Sequence, residues 1–398
     1  MKFSPVLRFG VMSDVHYTED GELSPKRFES AVKCLYEYAN GEKYKGVDAL
    51  YVVGDFADTG TRGQMERFKN DCDKYVSPDT KLVLTLANHE LHYGESEEKA
   101  LEDFSEVFKM DFDRHEVIKG FHFISVTTTN DGGEWHDSFD DAKRAFLSRE
   151  LEKAAAEGNT KPIFVFQHPG IRNTSPGAAY GNVGIDDILK DYPCAIDFAG
   201  HSHMAANDPR EIHQRDFTVV GTGSIAGIAT GGWRYKHLNR TGYRSTECSQ
   251  MVVVEVDAEG LVCIKIMDCA AQKIFGKENF VDVSLGKEGF TYTDSRRSEK
   301  PCFAEEPCAE LCREGENLRV RFPRAFCDDG IWYYSLKFLN EKGKEIAEIN
   351  PISDHAMFYQ KDSYDLTFEN LPDEISGVEI RAVGFFENIS EPIFAKLK

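Results

Sequence analysis

No apolar run in this chain approaches the roughly 18 residues that a membrane-crossing helix needs, which argues against a membrane-spanning role. The opening stretch "MKFSPVLRFGVMSDVHY" also lacks a continuous apolar core of signal-peptide length and enters a strand-like pattern almost at once. A cytoplasmic protein with no membrane partner is therefore expected. Basic residues are in short supply: 47 Lys and Arg stand against 68 Asp and Glu, a formal charge of −21. That balance opposes attraction to a phosphate backbone and disfavours a long nucleic acid as partner. A small anionic substrate is compatible with it, because a bound cation inverts the local field whatever the net charge. Closely paired cysteines are missing as well. Cys302, Cys308, Cys312 and Cys327 are separated by five, three and fourteen residues, without the C-x2-C pairs of a structural zinc site. The other cysteines sit mostly in apolar runs such as "LVCIKIMDC" and read as reduced, buried thiols rather than a disulfide framework. Internal repeats and low-complexity tracts are absent too, which leaves ordinary globular domains.

What is present is a recurring unit of short apolar strand, polar loop and amphipathic stretch. "LRFGVMS" leads to Asp14 and His16, "ALYVVGD" ends at Asp55, "LVLTLA" ends at Asn88, "PIFVFQ" ends at His168 and "AIDFAG" ends at His201. Helical periodicity is clear in "RFESAVKCLYEYAN", "EEKALEDFSEVF" and "DDAKRAFLSRELEKAAAEG", the last stopping at Gly158. Strands flanked by helices predict an α/β layered sandwich over residues 1–275, with both sheet faces covered. From about residue 217 helices disappear. "FTVVGTGSI" and the hairpin "SQMVVVEVD"/"GLVCIKIMD" are expected to finish a second sheet of that domain. The polar, glycine-bearing stretch 276–300 reads as a linker. Beyond it, short strands separated by turn residues over 301–398 predict a second, smaller all-β sandwich. Its "FENLP…GVEIRAVGFFENISEPI" resembles the last strands of a fibronectin type III domain.

Asp14, His16, Asp55, Asn88, His89, His168, His201 and His203 all stand at strand ends, where the loops of layered α/β folds converge. Carboxylate, imidazole and amide oxygen together suit a divalent or trivalent first-row metal; thiolates alone would suit structural zinc, and oxygens alone magnesium or calcium. A two-metal site also wants one carboxylate bridging ions about 3.5–4 Å apart, and Asp55, alone after "VVG", is the candidate.

In order, "DVH", "GDFAD", "ANHE", "QHPG" and "GHSH" resemble the motifs of the calcineurin-like metallophosphoesterases over roughly residues 5–270. The resemblance implies one metal held by Asp14, His16, Asp55 and His203 and a second held by Asp55, Asn88, His168 and His201. Manganese, iron or zinc would serve. It further implies His89 at the leaving group, with Glu90 orienting the other ring nitrogen of His89. The implied activity is hydrolysis of a small phosphodiester or phosphomonoester by a hydroxide bridging the two ions. A catalytically silent scaffold and a nuclease are the alternatives. One position departs from the pattern: Ala87 stands where the family has glycine, which matters only if the backbone there needs a positive φ. His92, His136, Arg62, Arg172 and Asn173 are weaker candidates for the pocket wall, each read first as a solvated loop residue. The carboxy-terminal sandwich is open to self-association or partner docking.

Overall fold

Alternation along the first strand decides the layering. In a computed structural model of the chain, which describes residues 3–130, 137–158, 161–174, 184–229 and 244–398, β1 (Pro5–Met12) directs Leu7, Phe9 and Val11 to one buried cluster and Met12 to another. β2 (Ala49–Val53) and β3 (Lys81–Thr85) follow β1 in parallel, and β2 alternates likewise, with Ala49, Tyr51 and Val53 on one side and Leu50 and Val52 on the other. Between them, α1 (Leu23–Gly41) and α2 (Arg62–Tyr75) cover the outer face, followed by α3 (Asn88–His92) and α4 (Glu97–Phe108). α1 crosses so close to β1 that a Cβ on Gly10 would lie 2.9 Å from Leu35.

The second sheet begins with the hairpin β4 (Arg114–Ile118) and β5 (Phe121–Ser125). The short pair β6 (Thr129–Asn130) and β7 (Asp137–Ser138) precedes α5 (Asp141–Ala156), capped by the Asp140 side chain. β8 (Ile163–Phe166), α6 (Asp186–Leu189), β9 (Ala195–Ala199), β10 (Ile212–Gln214) and β11 (Thr218–Gly221) complete it, in the order β10-β11-β9-β8-β5-β4. The two sheets face each other across an aromatic core. Phe9 meets Phe123 and Phe164 edge-on at 5.1 and 4.9 Å, and Tyr51 stacks on Phe166 at 3.8 Å. Each such ring contributes about 1.5–3 kcal/mol by burial, and the stacking fixes the sheets relative to each other.

After the small pair β12 (Ile228–Ala229) and β13 (Arg244–Ser245), the hairpin β14 (Gln250–Asp257) and β15 (Val262–Asp268) joins the first sheet and not the second, correcting the expectation from sequence. β14 pairs antiparallel with β1 and is buried on both faces; Val252, Val254 and Val256 face the intersheet core, Met251 and Val253 the helix layer. Glu255 on β14 sits opposite the fully buried Arg8 and pairs with it, Nε to Oε1 at 2.7 Å. β16 (Lys273–Ile274) and β17 (Asn279–Val281) pair with β15, so part of the 276–300 stretch belongs to the sheet.

Contacts divide the chain into two compact units, with residues up to 229 and 244–294 in the first and 295–398 in the second. The second unit contains a three-stranded antiparallel sheet of β18 (Glu310–Glu314), β19 (Asn317–Pro323) and β22 (Ser363–Phe368). It also has a four-stranded one of β20 (Ile331–Leu339), β21 (Glu345–Ile349), β23 (Gly377–Gly384) and β24 (Ile393–Lys396). Val320 and Phe322 from one and Leu336, Phe338 and Ile380 from the other share a core. All ten cysteines are free, six of them buried. Among the described residues no helix is long and apolar enough to cross a membrane.

Candidate metal centre

The loops that leave β1, β2 and β9 are built from residues in the left-handed region: Asp14 (φ 51°), His16 (52°), Asp55 (54°), His201 (64°) and His203 (52°). A non-glycine residue there costs on the order of 1–3 kcal/mol and persists only where its surroundings over-determine it. Backbone bonds supply that constraint. The amides of Val15 and His16 donate to the Asp55 carbonyl at 2.8 and 2.9 Å, Gly200 donates to His168 at 2.9 Å, and Ala229 donates to His203 at 2.7 Å. Gly54 (φ 84°) is required outright, since a Cβ there would stand 2.5 Å from Nδ1 of His168.

These turns aim side chains at one buried point. His203 Nε2 lies 3.0 Å from Asp14 Oδ1 and 3.3 Å from His16 Nε2; His168 Nε2 lies 3.0 Å from Asp55 Oδ2 and 3.9 Å from Asp14 Oδ1. Two ligand sets result, Asp14 with His16 and His203, and Asp55 with His168 and His201; in each, the donor atoms lie within 4.8 Å of one another. A third set, His16, Asp55 and His89, spans both. The outward ring nitrogens are anchored. His16 Nδ1 faces Asp58 Oδ1 at 3.1 Å, His203 Nδ1 the Gly227 carbonyl at 3.1 Å and His168 Nδ1 the Val53 carbonyl at 2.6 Å. Each of these oxygens holds the ring proton on Nδ1 and leaves an Nε2 lone pair pointing inward.

Burial alone would raise Asp14, but His203 and His168 outweigh it and hold the carboxyl well below its usual range; His168 and His89 do the same for buried Asp55. Burial pushes His16 down to about 4 and His201, helped by His168, to about 3. Ionised Asp14 and Asp55 and neutral His16 and His201 are in the protonation states that metal ligands require. Among the described residues neither aspartate pairs with a Lys or Arg, so two buried negative charges await a cation. Asn88 Oδ1 is likewise buried with no donor among the described residues. The donor set fits a pair of transition-metal ions.

The family model described as calcineurin-like phosphoesterase matches residues 7–205, half of the chain. The chain belongs to the calcineurin-like phosphoesterase family. No curated protein matches it. Among solved structures, a purple acid phosphatase from yellow lupin (Lupinus luteus) seeds is 12% identical over 69% of this chain and 53% of its own, with a TM-score of 0.49. A hypothetical protein from Pyrococcus horikoshii OT3 is 12% identical over 71% of this chain and 90% of its own, with a TM-score of 0.31. The chain thus spans about half the length of the lupin protein.

In this chain Glu90 does not orient His89. Its carboxylate, fully buried, accepts from the amides of Asp55 (3.1 Å), Ala57 (2.8 Å) and Ala87 (2.9 Å) and so ties the Asp55 loop to the start of α3. The first turn of a short helix directs residue 90 back toward the preceding loop, away from residue 89. Burial, then the charge of Asp55, raises Glu90 to about 8, against the pull of the Ala57 and Ala87 amides. His89 is held instead by the Asp58 carbonyl, 2.6 Å from Nδ1, with Nε2 3.9 Å from Asp55 Oδ2 and part of the ring open to solvent. Asp58 therefore serves two histidines, one by side chain and one by backbone. The sequence reading missed it, although "GDFAD" carries it three residues after Asp55. Ala87 has φ −144°, extended backbone open to any residue, so the departure from glycine needs no strain. Among the weaker candidates, Arg62 is engaged by Glu66, Asp103 and Glu106; Arg172 and Asn173 are exposed, His92 is half-buried on α3, and His136 lies outside the described residues.

Proposed function

We propose that the chain is a metal-dependent phosphoesterase hydrolysing a small phosphodiester or phosphomonoester. The observation that carries this reading is the set of inward Nε2 atoms, on His16, His168 and His203, meeting Asp14 and Asp55 with every Nδ1 anchored from behind. On this reading Asp14, His16, Asp55 and His203 hold one ion and Asp55, Asn88, His168 and His201 the other, with manganese, iron or zinc as occupants. Two such ions, when bound, make hydroxide available near neutral pH and offset the charge of the phosphate. His89, with Nδ1 committed to the Asp58 carbonyl, presents Nε2 to the leaving oxygen and, when protonated, donates to it. Glu90 keeps Asp55 and α3 in register, which is a positioning role.

The same reading keeps the protein in the cytoplasm and long nucleic acids outside its substrate range; the net charge of −21 supports the second point. The second unit we read as fibronectin type III-like, a docking or self-association module. The support is its division into sheets of three and four antiparallel strands over one core.

The test is turnover of a generic diester and a generic monoester by protein stripped of metal and reconstituted with manganese, iron or zinc. Asp55→Asn should abolish it, and His89→Ala should lower kcat by about 10²–10⁴-fold. Absence of metal-dependent turnover across a broad phosphoester panel overturns the proposal.

A further inference from the structure

Four rings run in a row from the buried ligand set toward the surface. His203 and His16 stack with centroids 5.2 Å apart, His16 meets His89 edge-on at 4.4 Å, and His89 meets Tyr93 at 4.9 Å with a tilt of 51°. Exposure rises along the row, from 3% at His203 and 4% at His16 through 15% for the His89 side chain to 42% at Tyr93. The row therefore has a direction, and Tyr93 is its outer end.

The backbone fixes Tyr93 in that place. It is the C-cap of α3, with helical φ −100° and ψ −9°, and stands four residues after His89, so the two side chains share one face of the turn. The turn is seated on the loop that follows Asp55. A Cβ on Gly60 (φ 62°) would collide with the Glu90 carbonyl, and one on Gly94 would lie 3.6 Å from the Gly60 carbonyl oxygen. The same loop supplies the Asp58 carbonyl that holds His89 Nδ1. One loop thus positions both the ring that faces the leaving oxygen and the ring beside it.

We propose that Tyr93 is the platform for the leaving group and selects phosphoesters whose leaving alcohol carries a planar aromatic ring. A phosphate seated at the metal ligands, with its leaving oxygen at His89 Nε2, sends its organic group outward along the row and onto the Tyr93 ring. An aromatic face favours a π system over a saturated ring of similar size, because offset and edge contacts add to simple burial. The inference rests on the phosphoesterase reading and on His89 facing the leaving oxygen.

The test compares benzyl with cyclohexylmethyl phosphate, leaving groups of similar size and similar alcohol acidity, each as the monoester and as the symmetrical diester, on the metal-reconstituted full chain. Benzyl should be favoured in kcat/KM by about 2–12-fold, the usual worth of an aromatic pair. Tyr93→Leu should erase that ratio and Tyr93→Phe should keep it, whereas a residue that only braced α3 would move both substrates alike. A ratio near one in the wild type, or an unchanged ratio in Tyr93→Leu, overturns the proposal. If none of the four esters turns over, that failure belongs to the phosphoesterase reading. Calorimetric binding of benzylphosphonate and cyclohexylmethylphosphonate to the same metal-loaded proteins then decides the role of Tyr93 by the same ratio.

Discussion

Asp197→Asn should raise stability at neutral pH and flatten its dependence on pH. Asp197 sits in the middle of β9, fully buried, where one carboxyl oxygen accepts from Gln167 Nε2 at 2.9 Å and the other has no partner among the described residues. Burial pushes this carboxyl from 3.8 up to about 8, only partly offset by the Gln167 bond. In the unfolded chain it ionises near 3.8, whereas the folded chain keeps its proton until about pH 8. The stability contributed by the neutral acid is therefore complete below pH 3.8, falls through the interval between the two values and is gone above about 8. At about 1.4 kcal/mol per pH unit the loss approaches about 6 kcal/mol across that window, and about 4 kcal/mol of it has occurred by pH 7. Asparagine keeps the shape and the acceptor for Gln167 without the ionisation. Urea denaturation of metal-free wild type and variant from pH 4 to pH 9 should give curves that diverge steadily, the variant ahead at the alkaline end. Glu90, which titrates in the same window, affects both proteins alike, so the difference isolates Asp197. Parallel curves would show that the fold tolerates an ionised Asp197 and would refute the reasoning.

Asp58→Ala removes the oxygen behind His16 Nδ1 while sparing the carbonyl that holds His89, and should weaken metal binding about 10–100-fold in equilibrium dialysis; unchanged affinity would remove Asp58 from the site. Ala87→Gly should leave turnover within about twofold and cost about 1 kcal/mol or less, because its backbone is already extended; a tenfold gain in activity would mean that the alanine does distort the site. Gly54→Ala forces a methyl to within 2.5 Å of His168 Nδ1 and 2.6 Å of the Ala87 methyl, so metal content should drop by one ion per chain with loss of turnover, and full metal content at wild-type activity would contradict the geometry.

Much of this was legible in the sequence because strand ends and ligand types coincide. Asp14, Asp55, His168 and His201 each follow a short apolar run, and parallel strands deliver their following loops to one edge. Three things were not legible. The hairpin of β14 and β15 has the same apolar pattern whichever sheet it joins, and its pairing with β1, including the Arg8–Glu255 contact, links residues 247 apart. Glu90 follows His89 directly and invited a role on it, but side-chain direction in the first turn of a helix depends on φ and ψ rather than on adjacency. Asp58 contributes to His89 through a backbone carbonyl, a group that every residue carries and no motif can mark. The left-handed turns at five of the expected ligands were equally silent, since aspartate and histidine are enriched in that region but most of them lie outside it.

β1 lies between a strand that follows it within fifty residues and one that arrives only after residue 250. A ribosome therefore releases the loop of Asp14 and His16 long before its sheet can close. Throughout that interval β1 offers an unpaired edge and the alternating Leu7, Phe9 and Val11 to any neighbouring chain. A fragment ending at residue 229 would be caught in the same condition permanently, possessing every ligand of the centre but not the strand that completes its sheet. Expression trials that trim the protein back to its motifs would on this account yield aggregates, and the shortest soluble piece must run through β15.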